Sequence, residues 1–380
     1  FCIVGSPSLE IAVTERKPVT PQKGEENCFE SPPSSNLSRS PSLSLSLSQG
    51  KPSAPPLPRS DGLSLLQRHT HTHRMVVSCL SIVSLYGSFI HRSLSGAGLS
   101  SQTIDVDEET SIHFWGPNPK WSRSKPKPSL ILIHGFGPQG MWQWRQQAIY
   151  FAPHFDVYLP DLVFFGNSTS KSSSERSEVF QAVSVGKLLE KLGVDRYSVV
   201  GTSYGGFVAY QMARMWPERV QKVVIASSAV NLRRTDNVEL VKRAKAHTID
   251  DVMLPRTAPQ LRTLIGLALF NRLFLYMPDF FLNDFLHKLY SENRKEKMEL
   301  LKGLTLGRDN TVNISPLQQE VLIVWGDHDQ IFLLDKAIEL RELLGEKARL
   351  QVIKNTSHAP QLEHAAQFNN IVNNFLCGSS

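Results

Sequence analysis

The sequence predicts an α/β fold organised around a doubly wound, mostly parallel sheet of about eight strands. Three observations carry that reading. From about residue 103, short apolar runs alternate with segments of helical period. Leu130-Ile131-Leu132-Ile133 is apolar without alternation, the pattern of a strand covered on both faces of a parallel sheet. Gly201-Thr202-Ser203-Tyr204-Gly205 then stands where an apolar strand meets a helix, a sharp turn that holds a serine hydroxyl above the sheet edge.

Taken in order, residues 111–115 read as a strand entered after the acidic turn 105–109, and 121–128 as a basic, proline-containing loop. The strand 130–133, a helix at 142–152 and a strand at 156–159 follow. An amphipathic helix at 177–192 is ended by Gly193. Residues 197–200 form the strand before the serine, and 207–216 a helix stopped by Pro217. A strand at 220–226 closes this half of the sheet. The last elements are strands at 321–325 and 350–353, with a helix at 334–344 between them and another at 365–375.

Between residues 231 and 316 the rhythm breaks, and a helical cap is expected as an insertion after the sixth strand. It is rich in Leu264, Leu267, Leu269, Phe270, Leu273, Phe274, Leu275, Phe280, Phe281, Phe285 and Leu286. Most of these are expected in the core of the cap, with some lining an apolar pocket over the site.

The chain of 380 residues divides at its first quarter. Residues 1–74 begin with Phe1 and contain alternating Ser-Leu at 42–48 and His-Thr at 69–73, the products of dinucleotide repeats. They read as disordered, translated leader sequence, with the natural chain starting at Met75; a disordered tail and a transit peptide are the alternatives. His69, His71 and His73 lack a second ligand cluster and are not taken as a metal site. Residues 75–102 form an apolar segment and linker. Its stretch 75–85 is too short to span a bilayer and reads as an amphipathic surface helix or weak anchor, so membrane-surface contact stays open. The α/β body is assigned to 103–380. Its cysteines are too few for a disulfide framework, which favours a reducing compartment, cytoplasmic or alternatively organellar or membrane-associated. The formal net charge of +6 comes without a basic, aromatic-interleaved stripe, and this excludes nucleic acid as a partner.

Ser203 is the candidate nucleophile. His134-Gly135-Phe136-Gly137 follows the strand at 130–133, where the Phe136 N–H can join the Tyr204 N–H in holding an oxyanion. His134 reads as a structural residue behind that loop. In Gly326-Asp327-His328-Asp329, again after a strand, both aspartates qualify chemically as the orienter of an imidazole, and His328 is taken as a loop residue. His358, in Asn355-Thr356-Ser357-His358, follows serine and aspartate in chain order and suits a general base.

Together these motifs resemble the α/β-hydrolase fold superfamily over roughly residues 103–378, in its branch of esterases, lipases and carbon–carbon bond hydrolases. The segments 98–105 and 161–166 are similar to plant members of unassigned substrate. The resemblance implies Ser203 as nucleophile, His358 as base and Asp329 as acid, because the family's acid lies three residues after the strand-end glycine. Asp327 is the fallback. Two departures stand out. Phe164 replaces a glycine common after the fourth strand, giving a bulkier wall and a candidate substrate contact, and Ser357 stands where glycine often precedes the histidine. The implied activity is hydrolysis of a carboxylic ester with an apolar acyl chain, through an acyl-enzyme and with neither cofactor nor metal. The alternatives are a vinylogous diketone hydrolase with the same triad and a hydrolase-fold small-molecule receptor. Aspartate-nucleophile chemistry is disfavoured by the serine at 203. Oligomeric state is not legible.

Overall fold

The computed structural model describes residues 81–120, 127–171 and 175–378, all within the unit Leu63–Ser380. The leader reading, the His-Thr run, Met75, Cys2, Cys28 and Cys79 lie outside the described residues.

A mixed, nine-stranded sheet forms the frame. Its strands are β1 (Leu99–Asp105), β2 (Thr110–Pro117), β3 (Ser129–Ile133), β4 (Asp156–Pro160), the two-residue β5 (Thr169–Ser170), β6 (Tyr197–Thr202), β7 (Val220–Ala226), β8 (Glu320–Gly326) and β9 (Ala348–Ile353). The spatial order is β1-β2-β4-β3-β6-β7-β8-β9, with β5 beside β2. From β4 across to β9 every pairing is parallel. At the other edge β1, β2 and β4 pair antiparallel.

Strand β1 is an element the sequence reading left inside a linker. Its side chains are half-covered in alternation with Leu99 buried, so its polar Ser-Ser-Gln-Thr composition hides the period. It pairs with β2 over seven residues, Leu99 with Pro117 through Asp105 with Ser111. A helix, α1 (Ile82–Gly96), precedes it; the Ser81 side chain accepts the Ser84 N–H as its N-cap. Among the described residues no helix is long and apolar enough to cross a membrane.

Successive side chains of a strand face opposite sides, and here they fill two cores. Ile131, Ile133, Val199, Val223, Ile225 and Ile323 pack under α3 (Glu178–Lys191), α4 (Tyr204–Met215) and α10 (Leu334–Leu344). Leu130, Leu132, Val200, Val224 and Val324 pack under α1, α2 (Gly140–Phe151) and α12 (Ala365–Cys377). The unbroken apolar run of β3 and the complete burial of β6 are explained by this double coverage.

Between β7 and β8 the chain leaves the sheet for five helices and a 3₁₀ turn: α5 (Arg234–Arg243), α6 (Ile249–Met253), α7 (Ala258–Ala268), Arg272–Tyr276, α8 (Asp279–Leu289) and α9 (Arg294–Lys302). Leu240, Leu261, Leu264, Leu282, Leu286 and Leu289 share a third core. The expected packing of most leucines and phenylalanines here needs correction. Phe270, Leu273, Phe274 and Phe280 are exposed, Leu273 by 74%. Apolar residues in consecutive positions cannot all face one side of a short helix.

The end of the insertion is anchored by Glu178, fully buried at the start of α3. Its carboxylate accepts the Thr305 N–H at 2.9 Å, the Thr305 hydroxyl and the Gln211 amide at 3.0 Å. Glu178→Ala leaves the buried Gln211 amide without an acceptor and frees Thr305, which ties the end of the insertion to α3. The expected loss is about 3 kcal/mol of unfolding free energy, seen as a lower urea midpoint. A loss below about 1 kcal/mol would contradict the anchoring role.

Candidate active site

The chain turns from β6 into α4 at Ser203, whose φ of 52° lies in the left-handed region. A non-glycine residue there is strained and persists only where its surroundings over-determine it. The surroundings are backbone. A Cβ on Gly201 would lie 2.1 Å from the Gly205 carbonyl oxygen, and one on Gly205 would lie 2.3 Å from that of Ile133. The turn is therefore pressed between its own helix and the end of β3, as its glycines predict. The Ser203 N–H is held by the Ala226 carbonyl at 2.9 Å, which ties the elbow to β7 as well.

Tyr204 is the first residue of α4, so its N–H has no acceptor within the helix. Facing it across Ser203 is the loop after β3, where a Cβ on Gly135 would stand 2.9 Å from the Ser203 Cβ. Gln143, on α2, holds this loop in shape. Its Oε1 accepts the Gly135 N–H at 2.8 Å, and its Nε2 donates to the carbonyls of Gly135 at 3.1 Å and of Pro138. No feature of the sequence pointed to Gln143. The Phe136 ring meets that of Tyr204 edge-on at 5.7 Å, so the two residues expected to donate to an oxyanion are neighbours.

His134 sits behind this loop, fully buried. Its Nε2 accepts the Leu162 N–H at 3.0 Å, which leaves Nδ1 as the protonated nitrogen donating to the Gly135 carbonyl at 2.8 Å. Both nitrogens are used, and burial lowers its pKa below the ordinary value. It is a neutral strut between two loops.

The two aspartates that chemistry alone could not separate have different partners. Asp329 is buried; its Oδ1 accepts the N–H groups of Ile331 and Phe332 at 2.9 and 3.0 Å, and its Oδ2 meets His358 Nδ1 at 2.8 Å. Asp327 accepts the Thr356 N–H at 3.3 Å and lies 3.9 Å from His328 at the surface. Only Asp329 touches His358. With Nδ1 committed to the carboxylate, Nε2 is the nitrogen left for a nucleophile or substrate. The Phe332 ring joins this pair to the elbow, packing on His358 at 5.5 Å and on Phe207, in the first turn of α4, at 6.1 Å.

Phe164 has a φ of 73°, in the left-handed region that favours glycine. Its ring is buried under the Arg176 guanidinium, 4.4 Å from the centroid, and its carbonyl accepts the Asn293 amide at 3.2 Å. It thus joins the loop after β4 to the insertion.

A further set of contacts was not legible in the sequence. The Ser357 hydroxyl lies 2.8 Å from the Leu267 carbonyl, and the His358 N–H donates to the Ala268 carbonyl at 3.0 Å. Glu363, on α11 (Pro360–Glu363), accepts the Ser357 N–H at 2.8 Å on one oxygen and the Phe270 and Asn271 N–H groups at 2.7 and 3.2 Å on the other. The loop carrying His358 is therefore stitched to the insertion, and serine at 357 is part of the seam. Glu363→Ala removes three charge-assisted hydrogen bonds. Hydrogen exchange at Ser357, Phe270 and Asn271 is expected to rise by about tenfold or more. Unchanged protection at all three amides would show that Glu363 is not what holds them.

Among the described residues no group of three or more His, Cys, Asp or Glu side chains is placed to hold a metal ion. Residues 128–365 match the family model described as alpha/beta hydrolase fold. A 2-hydroxy-6-oxo-6-phenylhexa-2,4-dienoate hydrolase of Burkholderia cepacia is 26% identical over 265 residues, 65% of this chain and 87% of its own. A 2-hydroxymuconate semialdehyde hydrolase of Pseudomonas sp. (strain CF600) is 28% identical over 265 residues, 65% of this chain and 86% of its own. In solved structures, a bacterial membrane phospholipase A aligns with a TM-score of 0.65 at 21% identity, over 83% of this chain and 96% of that one. A putative lipase from Acinetobacter baumannii AYE aligns with a TM-score of 0.62 at 21% identity, over 77% and 95%. At these identities the two structures speak for the fold.

Proposed function

Because the chain belongs to the α/β-hydrolase fold family, we propose that it is a serine hydrolase working through Ser203, His358 and Asp329 on a carboxylic ester. The observation that carries this reading is the His358 Nδ1–Asp329 contact of 2.8 Å in a buried setting. It fixes the tautomer in which Nε2 is the base and stabilises the imidazolium that forms.

In the proposed cycle His358 Nε2 takes the Ser203 proton as Oγ attacks the ester carbonyl. The developing oxyanion is received by the N–H groups of Phe136 and Tyr204. His358 then returns the proton to the departing alkoxide, leaving an acyl-enzyme. Water, activated by the same imidazole, releases the acid. The helical insertion would serve as the cap over this site, and the buried state of Ser203 and His358 supports that role.

Hydrolysis of a carbon–carbon bond in a vinylogous diketone is the second reading. It is favoured by the curated relatives, whose names are those of dienoate and semialdehyde hydrolases. A receptor built on the same fold is less favoured, since serine, histidine and aspartate are all retained.

A fluorophosphonate probe is expected to label Ser203 and not Ser203→Ala, and that variant should lose about 10⁴-fold or more in turnover of a p-nitrophenyl ester. Asp329→Asn is expected to lose about 10³- to 10⁴-fold, whereas Asp327→Asn stays within about threefold, since its side chain does not reach His358. Equal losses in the two aspartate variants would remove Asp329 from the proposed triad. Turnover of a ring-fission dienoate with no ester turnover would select the second reading.

A further inference from the structure

Lys297 is an unusual residue for its place. It stands on α9 of the insertion and is buried, 4% exposed, whereas a lysine is almost never covered to this extent without a partner. Its Nζ lies 5.1 Å from the centroid of the Phe165 ring. That ring packs edge-on against Phe136 at 5.2 Å and against His134 at 5.1 Å. The ammonium thus rests on the aromatic cluster that backs the proposed oxyanion loop. The carboxylates of Glu292 and Glu296 act on it only through the longer-range field, with no hydrogen bond, and among the described residues it has no ion-pair partner. Burial lowers its pKa to about 8, so the ammonium is held at a loss that an anion would offset.

We propose that Lys297 receives a carboxylate of the substrate, remote from the bond that is cleaved, so that the substrate class is a small carboxylate-bearing ester or ketone and not a purely apolar acyl ester. The proposal rests on the hydrolase reading above and narrows it. One ammonium matches one negative charge. The cation that acts in its field, Arg294, already donates to the carbonyls of Leu254, Pro255 and Tyr290, which leaves no fork of the kind a phosphate dianion requires. The ring of Phe165 supplies a cation–π contact that positions the amine without neutralising it.

The test compares mono-p-nitrophenyl glutarate with its methyl ester, a pair differing by one charge. The wild-type protein is expected to prefer the anion by about tenfold or more in kcat/KM, chiefly through KM. Lys297→Met should bring the ratio to about one while keeping turnover of the methyl ester, and Lys297→Arg should restore part of it. The preference is full where the amine is protonated and falls as pH rises through about 8. Glu292, Arg294 and Glu296 on its own segment and the neutral His134 opposite are the charged or titratable groups acting in its field. His358 serves both esters, so its titration cancels in the ratio. No preference in the wild type, or an equal loss on both esters in Lys297→Met, would overturn the proposal and leave the hydrolase reading standing. Absence of turnover of either ester would count against ester hydrolysis instead. Calorimetric binding of glutarate then decides the matter for Lys297: binding to the wild type that Lys297→Met abolishes supports the proposal, and no binding to the wild type overturns it.

Discussion

The site depends on backbone pressed against backbone at the turn around Ser203. Gly201 and Gly205 have no room for a Cβ because the turn lies against its own helix and the end of β3. That contact forces Ser203 to a positive φ and exposes the N–H of Tyr204 at the start of α4. It also sets the distance to the Gly135 loop. Parallel pairing of β3 with β6 in register, Ile133 beside Gly201, makes the approach possible. A strained residue of this kind is maintained by the whole sheet, whose two cores are filled from both faces of the same strands.

Polar groups are then arranged so that each loop of the site is held by a side chain from another element. Gln143 holds the Gly135 loop, His134 ties it to Leu162, and Asp329 draws its own turn closed through the Ile331 and Phe332 amides while meeting His358. Buried groups satisfied in this way rigidify what they touch. The seam formed by Ser357 and Glu363 extends the arrangement to the insertion, so the His358 loop and the insertion are mechanically joined.

The insertion buries leucines and the Lys297 ammonium and exposes Leu273, Phe274 and Phe280. The proposed role of Lys297 would add a charged feature to a pocket that composition alone led one to expect to be apolar. That feature bears on which of two reactions the same triad would serve.

Much of this was legible in the chain itself. The unbroken apolar runs, the helical periods and the glycines around Ser203 determined the fold class, the order of the main elements and the elbow, because each signal is local and spans a few residues. Position after a strand was enough to bring Asp327, Asp329 and His358 into consideration. The edge strand β1 escaped notice because its faces are half-covered and its residues polar, leaving little contrast to read. Chemistry alone left Asp327 and Asp329 open and the family resemblance selected Asp329; the contact with His358 that separates them is tertiary, since both follow the same strand and differ only in how the turn folds back. The same holds for Gln143, Glu363 and Lys297, ordinary residues in unremarkable segments. Glu363 meets Phe270 across 93 positions of sequence, and Lys297 is made significant by an aromatic ring on a distant loop and by burial. Contacts of that separation leave no period or spacing behind, so only the folded chain reveals them.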